Sequence, residues 1–152
     1  HAPAQWYLGQ IYRLGHNVEE NIIEEATWYE MAAEQGDIDG MFQYAFIYLD
    51  GVGGVIENED KALNYFICAA ENGYTRAEAC IGNFYEYGRG GIERDLAEAC
   101  RHYCIAAEQG DDYGLYNYAR FIDNGLGGCE IDEAKAFSLY LKSAEMGKEK
   151  SK

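Results

Sequence analysis

The sequence has no long apolar run, a single proline and few basic residues. No stretch approaches the roughly 20 consecutive apolar residues that a membrane-spanning helix needs, so the sequence predicts no such helix. Proline occurs once, at Pro3, against 18 glycines, which favours many helix ends, because glycine adopts the left-handed conformation at little cost. The formal net charge is −15, from 12 basic and 27 acidic residues. Because such a surface repels phosphate backbones, a nucleic-acid partner is disfavoured and a neutral or basic protein partner is favoured.

The remaining composition is that of a globular protein. The chain has 152 residues, of which 48% are hydrophobic and 26% charged, enough for one domain with a sizeable core. It opens at His1, without an initiator Met, inside a segment that is predicted to be helical. We therefore expect residues 1–152 to be a single domain taken from a longer chain.

An internal repeat organises the whole sequence. A closing glycine recurs every 37 residues, at Gly36, Gly73, Gly110 and Gly147. A pair of small residues precedes each closing glycine, and an aromatic or bulky residue precedes each pair: Tyr29, Phe66, Tyr103 and Tyr140. A repeat of this length with glycine-rich turns predicts a stack of similar structural units.

Each copy is predicted to form two helices. The first helices are expected at 4–14, 41–50, 77–87 and 114–124, and the second at 24–35, 60–72, 96–109 and 133–146. A small residue in each first helix allows the second helix to cross closely: Gly9, Ala45, Gly82 and Ala119. One hairpin has too little area to bury its own apolar stripe, so neighbouring copies must stack into a continuous core.

Two of the repeated motifs are specific enough to suggest a family. The segment AQWYLGQIYRLG in the first copy and DKALNYFICAAENG in the second resemble the Sel1-like repeat, a relative of the tetratricopeptide repeat. The resemblance covers copies at 2–37, 38–74, 75–111 and 112–148. It implies an all-α, right-handed α-solenoid of four helix-turn-helix repeats that acts as a non-enzymatic scaffold or adaptor in protein–protein interactions.

The resemblance also implies a binding groove on the first helices, which line the concave side and hold a peptide segment or a protein surface. Aromatic and arginine side chains there are the types that dominate protein interfaces. For Trp6 and Phe42, the alternative is that they cap the apolar seam between copies. The predicted partner-binding residues are Trp6, Gln10, Arg13, Phe42, Phe46, Leu49, Asn83, Glu86, Tyr116 and Arg120.

No catalytic, metal-binding or cofactor-binding pattern emerges from the remaining polar residues. The five cysteines lie in five different columns of the repeat, which predicts unlinked thiols in a reducing, cytoplasmic compartment rather than disulfides or a metal site. His102 shares its column with Trp28 and Tyr65, so we expect it to be packed in the core. Asp37 and Asp111 are predicted to cap helices rather than to bind calcium.

Two other functions stay open. Some secreted Sel1-like proteins have been linked with β-lactam binding or hydrolysis, but the paired cysteines of those members are missing here. The chain is alternatively a structural spacer within a longer repeat array. A repeat end without a neighbour exposes its apolar stripe, which predicts self-association as a further property.

Overall fold

The computed structural model describes residues 18–51, 53 and 55–150. This part of the chain contains α-helices and one short 3-10 turn, Leu126–Gly128, but no strand. The prediction of an all-α repeat fold is confirmed. The seven helices of the described residues are α1 (Val18–Glu34), α2 (Ile38–Asp50), α3 (Glu59–Glu71), α4 (Thr75–Tyr87), α5 (Leu96–Glu108), α6 (Asp112–Asn124) and α7 (Glu133–Lys150).

The helix bounds differ from the prediction at the starts of α1 and α2 and at the end of α7. Helix α7 continues through Gly147, which was predicted to close the last copy, and ends at Lys150 instead of residue 146. Helix α1 begins at Val18 instead of residue 24, and α2 begins at Ile38 instead of residue 41. In α2 the reason is Asp37, whose carboxylate accepts a hydrogen bond of 2.6 Å from the backbone N–H of Gly40. Gly40 therefore lies in the first helical turn and not in the preceding loop. The predicted helix at 4–14 lies outside the described residues.

Short polar side chains start several of the other helices in the same way. Asn58, Asp95 and Asp111 each accept a hydrogen bond from the backbone N–H three residues further on. This geometry confirms the capping role predicted for Asp37 and Asp111. At the opposite ends of α2 and α6, the next residue is a glycine in the left-handed conformation, with φ of 64° in both cases.

The chain divides between Tyr74 and Thr75 into two compact units, here called the first unit and the second unit. The division falls where the second predicted copy meets the third. The core of the first unit is built on Ala26, Tyr29, Ala33, Tyr44 and Ile47. The core of the second unit is built on Ala79, Ala99, Tyr103, Ala106 and Phe121.

Small residues let helices of successive hairpin arms cross closely in both units. A Cβ added at Gly40 of α2 would lie 2.6 Å from Ala32 Cβ of α1. A Cβ added at Gly82 of α4 would lie 2.8 Å from a ring carbon of Tyr103 on α5. Gly82 is therefore a packing position, as the repeat predicted, and Gly40 is a further one outside the predicted column. None of the helices in the described part of the chain is long and apolar enough to cross a membrane.

Candidate protein-binding site

The predicted binding residues fall into three groups. Trp6, Gln10 and Arg13 lie outside the described residues. Helix α2 of the first unit carries Phe42, Phe46 and Leu49, whereas α4 and α6 of the second unit carry Asn83, Glu86, Tyr116 and Arg120. Their exposure differs sharply, and it separates surface residues from core residues.

The two phenylalanines on α2 belong to an aromatic cluster of the first unit. Phe42 retains only 6% of its accessible surface. Its ring lies 4.4 Å from that of Tyr74 and 5.6 Å from that of Phe66. Phe46 is half-buried and packs 5.2 Å from Phe66. Phe42 therefore contributes to the core and offers a partner almost no surface, because Phe46, Phe66 and Tyr74 pack against its ring. Leu49 is half-buried.

Glu86 is also buried, with 6% of its surface accessible, and it belongs to a polar network between three helices. The Tyr103 hydroxyl donates to Glu86 Oε1 at 2.9 Å. Nη2 of Arg120 donates to the two carboxylate oxygens at 2.6 and 2.9 Å. The same nitrogen donates to Asn117 Oδ1 at 3.0 Å. These contacts satisfy a charge that would be costly to bury alone, so Glu86 stabilises the packing of α4 on α5 and α6.

The network perturbs the proton affinities of its members. Burial raises the pKa of Tyr103, and the neighbouring negative charge of Glu86 raises it further. For Arg120, burial acts to lower the pKa, but the hydrogen bond and the charge of Glu86 outweigh it and raise the pKa overall. Tyr103 and Arg120 therefore both keep their protons throughout the neutral range.

Two exposed tyrosines lie near this network on the surface of the second unit. Tyr116 on α6 is 50% exposed, and Tyr87 at the end of α4 is 60% exposed. The Tyr116 ring lies 5.7 Å from that of Tyr140 on α7. Tyr87 lies close enough to Arg120 to contribute to its raised pKa. We call Tyr87, Tyr116, Tyr140 and Arg120 the tyrosine face.

The sequence predicted two members of the tyrosine face, Tyr116 and Arg120, but neither Tyr87 nor Tyr140. Tyr140 belongs to the aromatic column of the second helices and was not among the predicted binding residues. In α7 it is half-buried, and its ring centroid lies 5.7 Å from that of Tyr116. Tyr87 stands directly before the turn glycine Gly88. Its place at the last position of α4, one residue after the predicted binding residue Glu86, could have identified Tyr87 as part of the same surface. Asn83 is half-buried, and its side-chain oxygen accepts a hydrogen bond of 3.4 Å from Arg89.

His102 is packed as predicted. Its side chain is 12% exposed, and Nδ1 lies 2.7 Å from Glu78 Oε2. Its ring stacks on Tyr85 at 5.4 Å between centroids. Within the part of the chain that the structure describes, no group of three or more His, Cys, Asp or Glu side chains could hold a metal ion.

Three solved structures resemble this fold. A Sel1 repeat protein from Oxalobacter formigenes is 33% identical over 97% of this chain and 57% of its own, with a TM-score of 0.84. A protective antigen of uropathogenic Escherichia coli strains, described as having an SLR fold, is 31% identical over 95% of this chain and 30% of its own, with a TM-score of 0.77. Helicobacter pylori cysteine rich protein B shares the fold, at 23% identity over 82% of this chain and 88% of its own and a TM-score of 0.61. This chain therefore spans 57% and 30% of the first two proteins.

A search of curated proteins found no match. The pattern of the Sel1 repeat matches residues 2–37, 38–74, 77–111 and 112–148, which is nearly the whole chain. Together with the matching fold and the packing of small residues at the helix crossings, this match establishes the family. The chain belongs to the Sel1 repeat family.

Proposed function

We propose that this protein is an adaptor that binds a peptide segment or a protein surface, and that the second unit contributes the tyrosine face to that contact. Sel1 repeat proteins are generally scaffolds for protein interactions and are typically not catalytic. The finer assignment, to one face of this chain, rests on the exposure of its tyrosines.

The observation that carries the proposal is Tyr116. It is half exposed, whereas the phenylalanine of the same helix, Phe121, is fully buried. Tyrosine gives a large contact area for few rotatable bonds, and arginine next to it is the composition typical of interface hot spots. Because Glu86 and Asn117 hold Arg120 in place, the face is organised before a partner binds.

The charge balance indicates the partner's chemistry. The net charge of −15 favours a neutral or basic segment, and Asp123 adds an exposed carboxylate on α6, the helix that carries Tyr116. Attraction between opposite charges steers the approach of such a segment and weakens as salt is added. We expect the association rate with a basic partner to fall as ionic strength rises.

The test is binding by matched variants. A purified partner from the native host is titrated against wild type, Tyr87→Ala/Tyr116→Ala and Phe137→Ala, each shown to be folded by circular dichroism. Phe137 is 65% exposed on α7 and is not part of the tyrosine face. We expect the double variant to weaken binding by at least tenfold and Phe137→Ala to leave it unchanged. Equal affinity of all three proteins would place the binding site elsewhere.

A second contact, between copies of the chain, is supported by the apolar face of α7. Phe137 and Leu141 occupy the columns of Cys100 and Cys104 in the preceding copy. There the following copy contacts both cysteines, through Cys129 and Tyr118. In α7 the equivalent side chains are 65% and 46% exposed, which leaves an apolar surface of the kind that other hairpins cover.

We propose that this face lets copies of the chain associate. Sedimentation analysis over a range of concentrations should show self-association of wild type. Phe137→Glu should reduce it, because a charge replaces the apolar contact. A monomer at every concentration would contradict the proposal. The use of cysteine further leads us to propose a reducing compartment, which fractionation of the native host tests.

A further inference from the structure

In both units, the turn between the two helices of one copy packs against the second helix of the preceding copy. In the first unit, a Cβ added at Gly53 would lie 2.7 Å from the Ile22 carbonyl oxygen and 2.6 Å from Ala26 Cβ of α1. Val55, two residues further on, packs against the core cluster that contains Ala26. Glycine at this point of the turn is therefore what allows the chain to come so close to the helix.

The second unit repeats this arrangement, two repeat lengths further along the sequence. Gly127 lies against the Leu96 carbonyl of α5, and a Cβ added there would lie 3.2 Å from Cys100 Cβ. The turn then places Cys129 against α5. The equivalent pairs of positions are Ala26 and Cys100, Gly53 and Gly127, and Val55 and Cys129.

The second unit thus has a thiol at both positions where the first unit has an aliphatic pair. The Sγ atoms of Cys100 and Cys129 lie 2.6 Å apart. A disulfide bond is about 2.05 Å long, so a shift of well under 1 Å by the sulfur atoms is enough to bring the two sulfurs to bonding distance. Because the turn is held against α5 by the Gly127 contact, the backbone already keeps the two cysteines together.

A solvent cleft opens on the Cys129 side of this pair. It has a volume of about 620 Å³, and Cys129, Tyr118, Ile122 and Lys135 are among the residues that line it. Burial raises the pKa of Cys100 to about 12, and contact with Cys129 adds to the shift. Cys100 therefore stays protonated at neutral pH, and a reagent entering the cleft meets Cys129 first.

We propose that Cys100 and Cys129 are a modification site: a dithiol that closes to a disulfide by exchange with a low-molecular-weight disulfide such as oxidised glutathione. The bond ties α5, the second helix of the third copy, to the turn of the fourth copy. The proposal is independent of the adaptor function, because neither cysteine belongs to the tyrosine face.

The disulfide forms in two thiol–disulfide exchange steps. The Cys129 thiol loses its proton and attacks one sulfur of the small disulfide, whose S–S bond breaks, and the released thiolate takes up a proton. The Cys100 thiol then loses its proton and attacks Cys129 Sγ, so that the mixed disulfide breaks and a second small thiol leaves with that proton. Both cysteines are oxidised, and one small disulfide is reduced to two thiols.

Tryptic mapping of the folded protein tests the proposal, since trypsin separates all five cysteines. Cys100 lies in peptide 95–101, Cys104 in 102–120 and Cys129 in 121–135, while Cys68 and Cys80 lie in 62–76 and 77–89. After treatment with oxidised glutathione, and with free thiols blocked, we expect peptides 95–101 and 121–135 to be linked and to separate on reduction. The linked protein should melt several degrees higher than the reduced protein, because the bond restricts the unfolded chain.

Serine variants provide the controls. Cys104→Ser removes a half-buried thiol one turn further along α5 and should leave the linkage and the rise in melting temperature intact. Cys100→Ser should stop the reaction at a glutathione adduct on Cys129, and Cys129→Ser should abolish both effects. Linkage of any other pair, or only glutathione adducts in the folded wild type, would overturn the proposal.

Discussion

The Glu86–Arg120 ion pair allows the core of the second unit to contain a buried carboxylate. The Glu86 carboxylate is 6% exposed and accepts hydrogen bonds from the Tyr103 hydroxyl and from Arg120. Removing the cation leaves a buried carboxylate with one neutral donor. Because desolvation of an unpaired charge is costly, removing one partner of the pair lowers stability more than removing both charges.

We therefore expect Arg120→Ala to lower the free energy of unfolding by about 2–3 kcal/mol, measured by urea denaturation with circular dichroism. Arg120 retains 27% of its side-chain surface, which keeps the loss below that of a fully buried pair. The double variant Glu86→Gln/Arg120→Ala should recover part of the loss, since no charge stays buried. If the double variant were less stable than Arg120→Ala, the account of this network would be wrong.

At the scale of helices, the close crossings depend on residues without a side chain. A Cβ added at Gly82 would lie 2.8 Å from the Tyr103 ring and 3.2 Å from the Ala99 carbonyl oxygen. The Tyr103 ring is itself fully buried, so it has nowhere to move. A large side chain at Gly82 must therefore separate α4 from α5.

Gly82→Leu should lower the free energy of unfolding by about 3 kcal/mol or more, because overpacking adds to the loss of the crossing. Gly147→Ala is the matched control, since nothing lies within 4 Å of a Cβ at that position on α7. It should raise stability by about 0.5–1 kcal/mol, as alanine favours the helix. Thermal melts of the two variants and wild type measure both effects, and an unchanged midpoint for Gly82→Leu would contradict the crossing.

Helices were predictable because their signals are local. The capping carboxylate of Asp111, the turn glycine Gly125 and the small residue Ala119 each act within a few residues of α6. Exposure in the site was not predictable in this way, because it depends on contacts between helices. Phe42 and Tyr116 occupy the same column of the repeat, yet Phe42 is buried under Tyr74 and Tyr116 is half exposed.

For the molecule as a whole, the raised pKa values of its tyrosines predict how the free energy of unfolding changes at alkaline pH. Burial is the largest cause of a raised pKa in Tyr44, Tyr65, Tyr103, Tyr113, Tyr118 and Tyr140. Above about pH 10 these phenols lose protons in the unfolded chain but keep them in the folded one. The unfolded chain then binds fewer protons, so the free energy of unfolding falls as pH rises.

We expect stability to be insensitive to these tyrosines below about pH 10 and to decrease above it. Tyrosine ionisation followed by ultraviolet absorbance, with circular dichroism on the same samples, measures both events. Part of the absorbance change should coincide with unfolding. Complete, reversible ionisation near pH 10 in a protein that stays helical would show that the tyrosines are not protected.

We propose that the tyrosine face of this acidic Sel1 repeat chain contacts a protein partner. A photoreactive phenylalanine analogue replaces Tyr116, or Phe137 as a control, in protein that is expressed in the native host. After irradiation, mass spectrometry identifies the crosslinked products. We expect the analogue at position 116 to crosslink to one discrete protein that the analogue at position 137 does not reach. No crosslinked protein at Tyr116, or the same proteins captured equally from both positions, would contradict it.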